Sequence, residues 1–256
     1  MANFFLEQIR ESLGPPVITE HCDIVGSLLR PTALLTAQEQ LRTGAISQAR
    51  FKAIEDRAVD DAIALQESVG LEIVTDGEMR RQSFQSQMTA AVSGFGAFDL
   101  AAFLWGDWHD DQGVRKTPRP PRLGVNAKLK RLGFLSVDEF LYLKAKTARR
   151  PKITIPSPGL WANFWSPKYS RGAYPTLELF LADIVAILRE EVAELTRHGA
   201  TYIQIDAPHY GLLLDDATRG FYEGLGWSLN DWLSLGIELE NAVMAGFADV
   251  TFGFHV

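Results

Sequence analysis

The chain has 256 residues, 46% of them hydrophobic and 22% charged, and a net charge of −7. That is the balance of a globular protein with a sizeable core, and the length fits a single domain of about 250 residues; the negative charge argues against a dedicated nucleic-acid binder, whose affinity would come from Lys and Arg on phosphates. The one cysteine, Cys22, rules out an intrachain disulfide framework and fits a reducing, cytoplasmic setting, while MANFFLEQIRESLG at the start has the pattern of neither a signal peptide nor a membrane span.

In chain order, DIVGSLLRP (23–31) reads as a short β-rich run with a polar end. Phe51, Ile54, Ala58, Ala62, Leu65 and Val69 then recur at three- and four-residue steps, which predicts a helix that Gly70 stops. LEIVTDGE (71–78) follows as a strand ending in carboxylates. Residues 83–150 form an insertion-like region. It holds Gly94, Gly96, Trp105, Trp108, the run RKTPRPPR (115–122), a strand or hairpin arm at VNAKLKRLGF (125–134) and a helix at VDEFLYLKAKT (137–147). KITIPSPGLW (152–161) is the next strand with its polar end. A second clear helix carries Leu177, Leu181, Ile184, Leu188, Val192 and Leu195 on one stripe, follows Pro175-Thr176, and closes at Gly199. The strand ATYIQIDAP (200–208), the helical pattern NDWLSLGIELENAVMAG (230–246) and the strand DVTFGFHV (249–256) complete the sequence.

Helix, strand, then polar residues at the strand's C-terminal end is the rhythm of parallel βα units. It predicts an α/β fold of the TIM (β/α)8-barrel type. About five or six strands are countable where a closed barrel needs eight, so residues 1–256 read as one partial barrel domain with 83–150 inserted. Catalytic groups of such barrels stand at the C-terminal strand ends, which singles out Ser27, Asp76, Glu78, Ser157, Asp206 and His255. Any one of them would be polar there simply because strand ends meet water; the set favours a site. Twelve of the 25 Lys and Arg residues fall between Arg115 and Lys152, a solvated face or a basic lip for an anionic substrate. Cys22 follows His21 directly, so their side chains diverge on a strand and Cys22 is expected as a packed thiol. His209 stands at the mouth as a candidate substrate contact or acid/base group, and His198 suits the negative end of its helix.

IVGSLLRP, VTDGE, PSPGLW, YIQIDAP and FGFHV, in this order and spacing, resemble the cobalamin-independent methionine synthase superfamily, and most closely its short, single-barrel members. The likeness runs from about residue 20 to the end. It implies zinc-dependent transfer of a methyl or other alkyl group to a thiol such as homocysteine, because bound zinc holds a thiol as the nucleophilic thiolate. By the same resemblance His255 is a zinc ligand, the first of a His-x-Cys pair. The remaining ligands are expected on a continuation of roughly one hundred residues that opens with Cys directly after Val256. Val25, Gly26 and Ser27 correspond to the turn that holds the substrate carboxylate. Glu78 and Asp206 correspond to the carboxylates that hold its amino group and serve the reaction, and Trp161 or Trp165 to the tryptophan over the donor pocket. Ala207 stands where the large synthases have Glu, which puts their exact donor chemistry in doubt.

The partners implied are a small-molecule thiol and a methyl or alkyl donor, with no nucleic acid and no membrane. Two alternatives stand beside this reading. One is alkyl transfer to another thiol, such as coenzyme M. The other is a truncated or split barrel without catalysis, whose open edge a second copy or a complementary chain covers. One histidine cannot hold catalytic zinc, so the chain alone is expected to be inactive.

Overall fold

A computed structural model describes residues 22–82, 86–97, 108–110, 113–115 and 123–256 of the protein. Its strands are β1 (Ile73–Val74), β2 (Val92–Ala97), β3 (Trp108–Asp110), β4 (Gly113–Arg115), β5 (Leu123–Arg131), β6 (Arg150–Pro151), β7 (Ile153–Pro156), β8 (Tyr202–Asp206) and β9 (Thr251–His255). The helices are α1 (Thr32–Arg42), α2 (Gln48–Ser68), α3 (Ser86–Ala91), α4 (Val137–Lys146), α5 (Leu177–Arg197), α6 (His209–Leu212), α7 (Asp216–Gly224), α8 (Leu229–Asp231) and α9 (Ile237–Met244).

The strands that position the site are parallel. β1 pairs with β6, and the amide of Lys152 donates to the Val74 carbonyl at 2.9 Å, which carries the pairing on to β7. β7, β8 and β9 then lie side by side in that order. This parallel run does not close on itself among the described residues. It is shorter than the five or six strands expected, because residues 22–30 form no strand. That segment instead hangs on the turn after β1, with Leu28 N–H donating to the Gly77 carbonyl at 3.0 Å and Thr75 Oγ1 to the Gly26 carbonyl at 3.1 Å.

Alternation along the strands separates two faces. Ile153, Ile155, Ile203 and Ile205 share one buried core with the stripe of α5, whose six predicted apolar residues are all buried. Each such side chain contributes about 1.5–3 kcal/mol by leaving water. The other face carries Lys152, Thr154, Tyr202, Gln204, Asp206 and His255, since successive side chains of a strand point to opposite sides. Helix α2 covers the early strand with Phe51, Ala58, Val59, Ala62, Ile63 and Gln66. Its predicted stripe drifts off this face at the C-terminal end, where Leu65 and Val69 are exposed. Gln66 takes the inward place because its amide makes two bonds with the backbone of Thr75, fixing the end of β1. Gly70 and Gly199 adopt the left-handed conformation expected of helix stops.

Within the 83–150 region, β5 is a hairpin arm: it pairs antiparallel with β2, and α4 follows as expected. Trp105 and residues 116–122 of the Pro/Arg run lie outside the described residues, whereas the basic residues from Lys128 to Lys152 are described and several pair with carboxylates, Arg131 with Glu190 and Glu191, Lys146 with Asp60 and Arg149 with Glu72. α1 directly after Pro31 is a helix that the sequence reading did not anticipate. Cys22 is exposed and is not the packed thiol expected. Among the described residues no helix is long and apolar enough to cross a membrane.

Candidate active site

The turn after β1 is built to present one carboxylate. Asp76 Oδ1 accepts from the amide of Glu78 at 2.9 Å and Thr75 Oγ1 from that of Gly77 at 3.1 Å. Gly77 and Glu78 both take positive φ, 67° and 54°. For Glu78 that costs about 1–2 kcal/mol, a local expense typical of a residue aimed at a functional site. Its side chain is 2% exposed. Oε1 accepts from Thr154 Oγ1 at 2.6 Å and from Arg81 Nη1 at 3.0 Å, while Oε2 accepts from the Ser27 hydroxyl.

Arg81 is equally buried and spans two carboxylates, donating to Glu139 Oε2 at 2.7 and 2.9 Å and to Thr154 as well as to Glu78. Burial alone would lower its pKa, but Glu139 and Glu78 outweigh that and raise it. Burial pushes Glu139 up to about 7 against the pull of Arg81, with Asp76 and Glu78 adding to the rise. Burial likewise raises Asp76.

The second half of the site comes from β8 and β9. Asp206 and His255 are in-register neighbours at the ends of adjacent parallel strands, so their side chains share a face, and His255 Nδ1 lies 3.3 Å from Asp206 Oδ1. Burial raises the Asp206 pKa and nearby Glu78 adds to this, whereas the Gln204 amide, donating to Oδ1 at 2.7 Å, and His255 pull it back. Val25, Gly26, Ser27, Glu78, Asp206, Pro208 and His255 line one pocket of about 200 Å³.

The pocket thus gathers Ser27, Glu78, Asp206 and His255 together with the Val25–Gly26 turn. Trp161 is not part of it. It is fully buried against Phe95 and Phe164, and Trp165 is buried with its indole N–H on the Tyr174 carbonyl. Ser157 caps the 3₁₀ turn Pro158–Phe164 and donates to Glu240. His209 is wholly buried behind Pro208, beside Tyr210 and Trp232, and burial pushes its pKa down to about 3. His198 caps α5 and meets Glu194. Arg81, Thr154, Lys152 and Gln204 went unnoticed in the sequence. The signal for three of them was the two-residue spacing of Lys152 with Thr154 and of Gln204 with Asp206.

Gly26 faces the Glu78 carboxylate so closely that a Cβ there would lie 2.6 Å from Oε1. Gly26→Ala is therefore expected to displace a carboxylate that Arg81 and Thr154 hold in place, at a cost of about 1–3 kcal/mol. Urea unfolding measures it, and a variant as stable as the parent would contradict this packing.

Residues 21–110 match the family model described as the catalytic domain of the cobalamin-independent synthases. A methionine synthase from Pyrococcus abyssi is 31% identical over 187 residues, which cover 72% of this chain and 51% of that protein. A 5-methyltetrahydropteroyltriglutamate–homocysteine methyltransferase from Caulobacter vibrioides is 30% identical over 240 residues, 93% of this chain and 27% of that one. The solved structure of a putative vitamin-B12-independent methionine synthase from Listeria monocytogenes superposes with a TM-score of 0.69 at 20% identity, covering 94% of this chain and 66% of its own. The chain is thus similar to the cobalamin-independent methionine synthases, and it spans about half the length of the Pyrococcus relative.

That family implies zinc. His255 offers a ring nitrogen at the pocket, but among the described residues no three His, Cys, Asp or Glu side chains are grouped to hold a metal. The described residues do not by themselves make a zinc site.

Proposed function

We propose that the pocket binds an amino-acid thiol of the homocysteine type and that the protein serves methyl transfer to its sulfur. The observation that carries this reading is the convergence of Glu78, Asp206 and Ser27 on one pocket of about 200 Å³. Two carboxylates suit an ammonium group, and backbone N–H groups of the Val25–Ser27 turn suit the carboxylate on the same carbon of the ligand. The relatives' names fit it, since the Caulobacter protein is a homocysteine methyltransferase. In the transfer, the thiol gives up its proton, a new S–CH₃ bond forms and the donor–CH₃ bond breaks, its electron pair staying on the demethylated donor, which takes up a proton in the net reaction. Asp206 and Glu78 fix the amino-acid end so that the sulfur is held for that displacement. The parallel βα succession is proposed as part of the wall of a (β/α)8 barrel, with the pocket at the C-terminal strand ends.

Coenzyme M is disfavoured, because its sulfonate would face the same two carboxylates. Calorimetric titration with L-homocysteine and with 2-mercaptoethanesulfonate tests the choice. The amino acid is expected to bind the more tightly, and Asp206→Asn to weaken it about tenfold or more, as loss of a charged hydrogen bond does. Tighter binding of the sulfonate, or an unaffected Asp206→Asn, would overturn the reading.

A further inference from the structure

We propose that Lys152 is a positioning residue, acting through the Gln204 amide to set the Val25–Ser27 turn and Asp206 at a fixed separation across the pocket. The inference rests on the pocket being the amino-acid site.

The Lys152 side chain, immediately before β7, is entirely buried. Its ammonium donates to Asp23 Oδ2 at 2.8 Å, to the Ile24 carbonyl and to Gln204 Oε1 at 2.8 Å. An ammonium has three N–H groups and no acceptor, so these bonds use all of it. Because Gln204 Oε1 is taken by the lysine, its Nε2 is turned away, donating to the Val25 carbonyl at 2.6 Å and to Asp206 Oδ1 at 2.7 Å.

An amide presents an acceptor at one end and donors at the other, with nearly the same shape. Lys152 selects which end meets Asp206. A reversed amide would set its oxygen against both the Asp206 carboxylate and the Val25 carbonyl, two acceptors that repel it. The same ammonium grips the chain at Asp23 and Ile24, immediately before the turn. One cation therefore ties both walls of the pocket together, yet neither Lys152 nor Gln204 lines it.

The test is a double-mutant cycle read by calorimetry with L-homocysteine. Lys152→Met and Gln204→Leu are each expected to weaken binding about tenfold, and the double variant clearly less than the product of the two losses, because the lysine acts largely through the amide. Additive losses near a hundredfold, or Lys152→Met within twofold of the parent, would overturn the proposal. Gln204→Glu guards against variants that fail to fold. It keeps an acceptor for Lys152 but has no donor for Asp206, so it should fold and bind at least tenfold more weakly; binding within twofold of the parent would count against the proposal. A ligand-free readout separates this inference from the reading of the pocket. In the parent, the Gln204 side-chain amide resonances should be exchange-protected, and in Lys152→Met they should lose protection and move toward free-amide positions. Unchanged resonances overturn the role of Lys152 even where no homocysteine binds, and absence of homocysteine binding with changed resonances overturns only the ligand.

Discussion

Replacing Arg81 by Met is expected to lower the unfolding free energy by about 3–5 kcal/mol at neutral pH, the cost of breaking a buried ion pair from one side. The guanidinium lies 2.7 Å from Glu139 and 3.0 Å from Glu78, all three side chains being almost wholly removed from water. Methionine fills much of the volume but leaves both carboxylates without that cation, with Asp76 adding repulsion to Glu139. The sign of the pH dependence follows. Carboxylates whose folded pKa lies above the unfolded value take up protons on folding, so their penalty grows as pH rises and fades as pH falls through the folded pKa. Glu139 is already at about 7 with Arg81 in place, and removing the cation drives it higher. The deficit measured by urea unfolding should therefore be larger at pH 8 than at pH 5. A loss below about 1 kcal/mol at pH 8, or one that grows toward pH 5, would show that Arg81 does not neutralise this cluster. Homocysteine binding should fall with it, since Glu78 Oε1 loses one of its two donors.

Arg81 also marks where the sequence stopped being legible. The strand ends were readable because a β-rich run that terminates in a carboxylate or histidine has a local signature. TDGE, QIDAP and GFHV accordingly deliver Glu78, Asp206 and His255 to one pocket. The long helix α5 was readable for the same reason, its apolar period being local. Arg81 has no such signature. It follows Met79-Arg80 like any charged stretch after a turn, and its role exists only because Glu139, 58 residues on, comes to meet it. Lys152, immediately before β7, and Gln204, inside β8, occupy polar positions that alternate with isoleucine, the pattern of a solvent face. Here that face is interior, and burial turns ordinary polar residues into obligatory partners. The Ile24–Ser27 segment misled in the opposite sense. Its β-branched run suggested a strand, but its carbonyls are held by Lys152, the Gln204 amide and the Thr75 hydroxyl, and the following Leu28 amide by the Gly77 carbonyl, rather than by a ladder. Trp161 shows the limit of motif spacing alone: PSPGLW reaches the predicted place, yet the 3₁₀ turn rotates the indole into the core against Phe95.

Behind the pocket, Glu240 and His209 set opposing limits on stability, and Glu240→Gln is expected to raise the unfolding free energy at pH 8 by on the order of 3 kcal/mol. Burial pushes Glu240 from its ordinary 4.5 up to about 7, with the Ser157 hydroxyl and the Gly159 amide pulling back. The folded state then holds a proton that the unfolded chain gives up above about pH 4.5. The associated stability is fully present below that pH and lost as pH rises toward 7. His209 works the other way. Burial pushes it from 6.5 down to about 3, so the unfolded chain binds the extra proton, and stability drains as pH falls from 6.5 toward 3. Between about 4.5 and 6.5 the two pH dependences offset one another. Glutamine keeps an acceptor for Ser157 and Gly159 without a charge to bury, so its advantage over the parent should be full at pH 8, shrink through pH 6 and vanish near pH 4.5. Urea midpoints of the two proteins across that range measure the difference directly. An advantage that does not change with pH would mean that Glu240 is ionised in the folded protein, and that Ser157 and Gly159 hold its charge despite the burial.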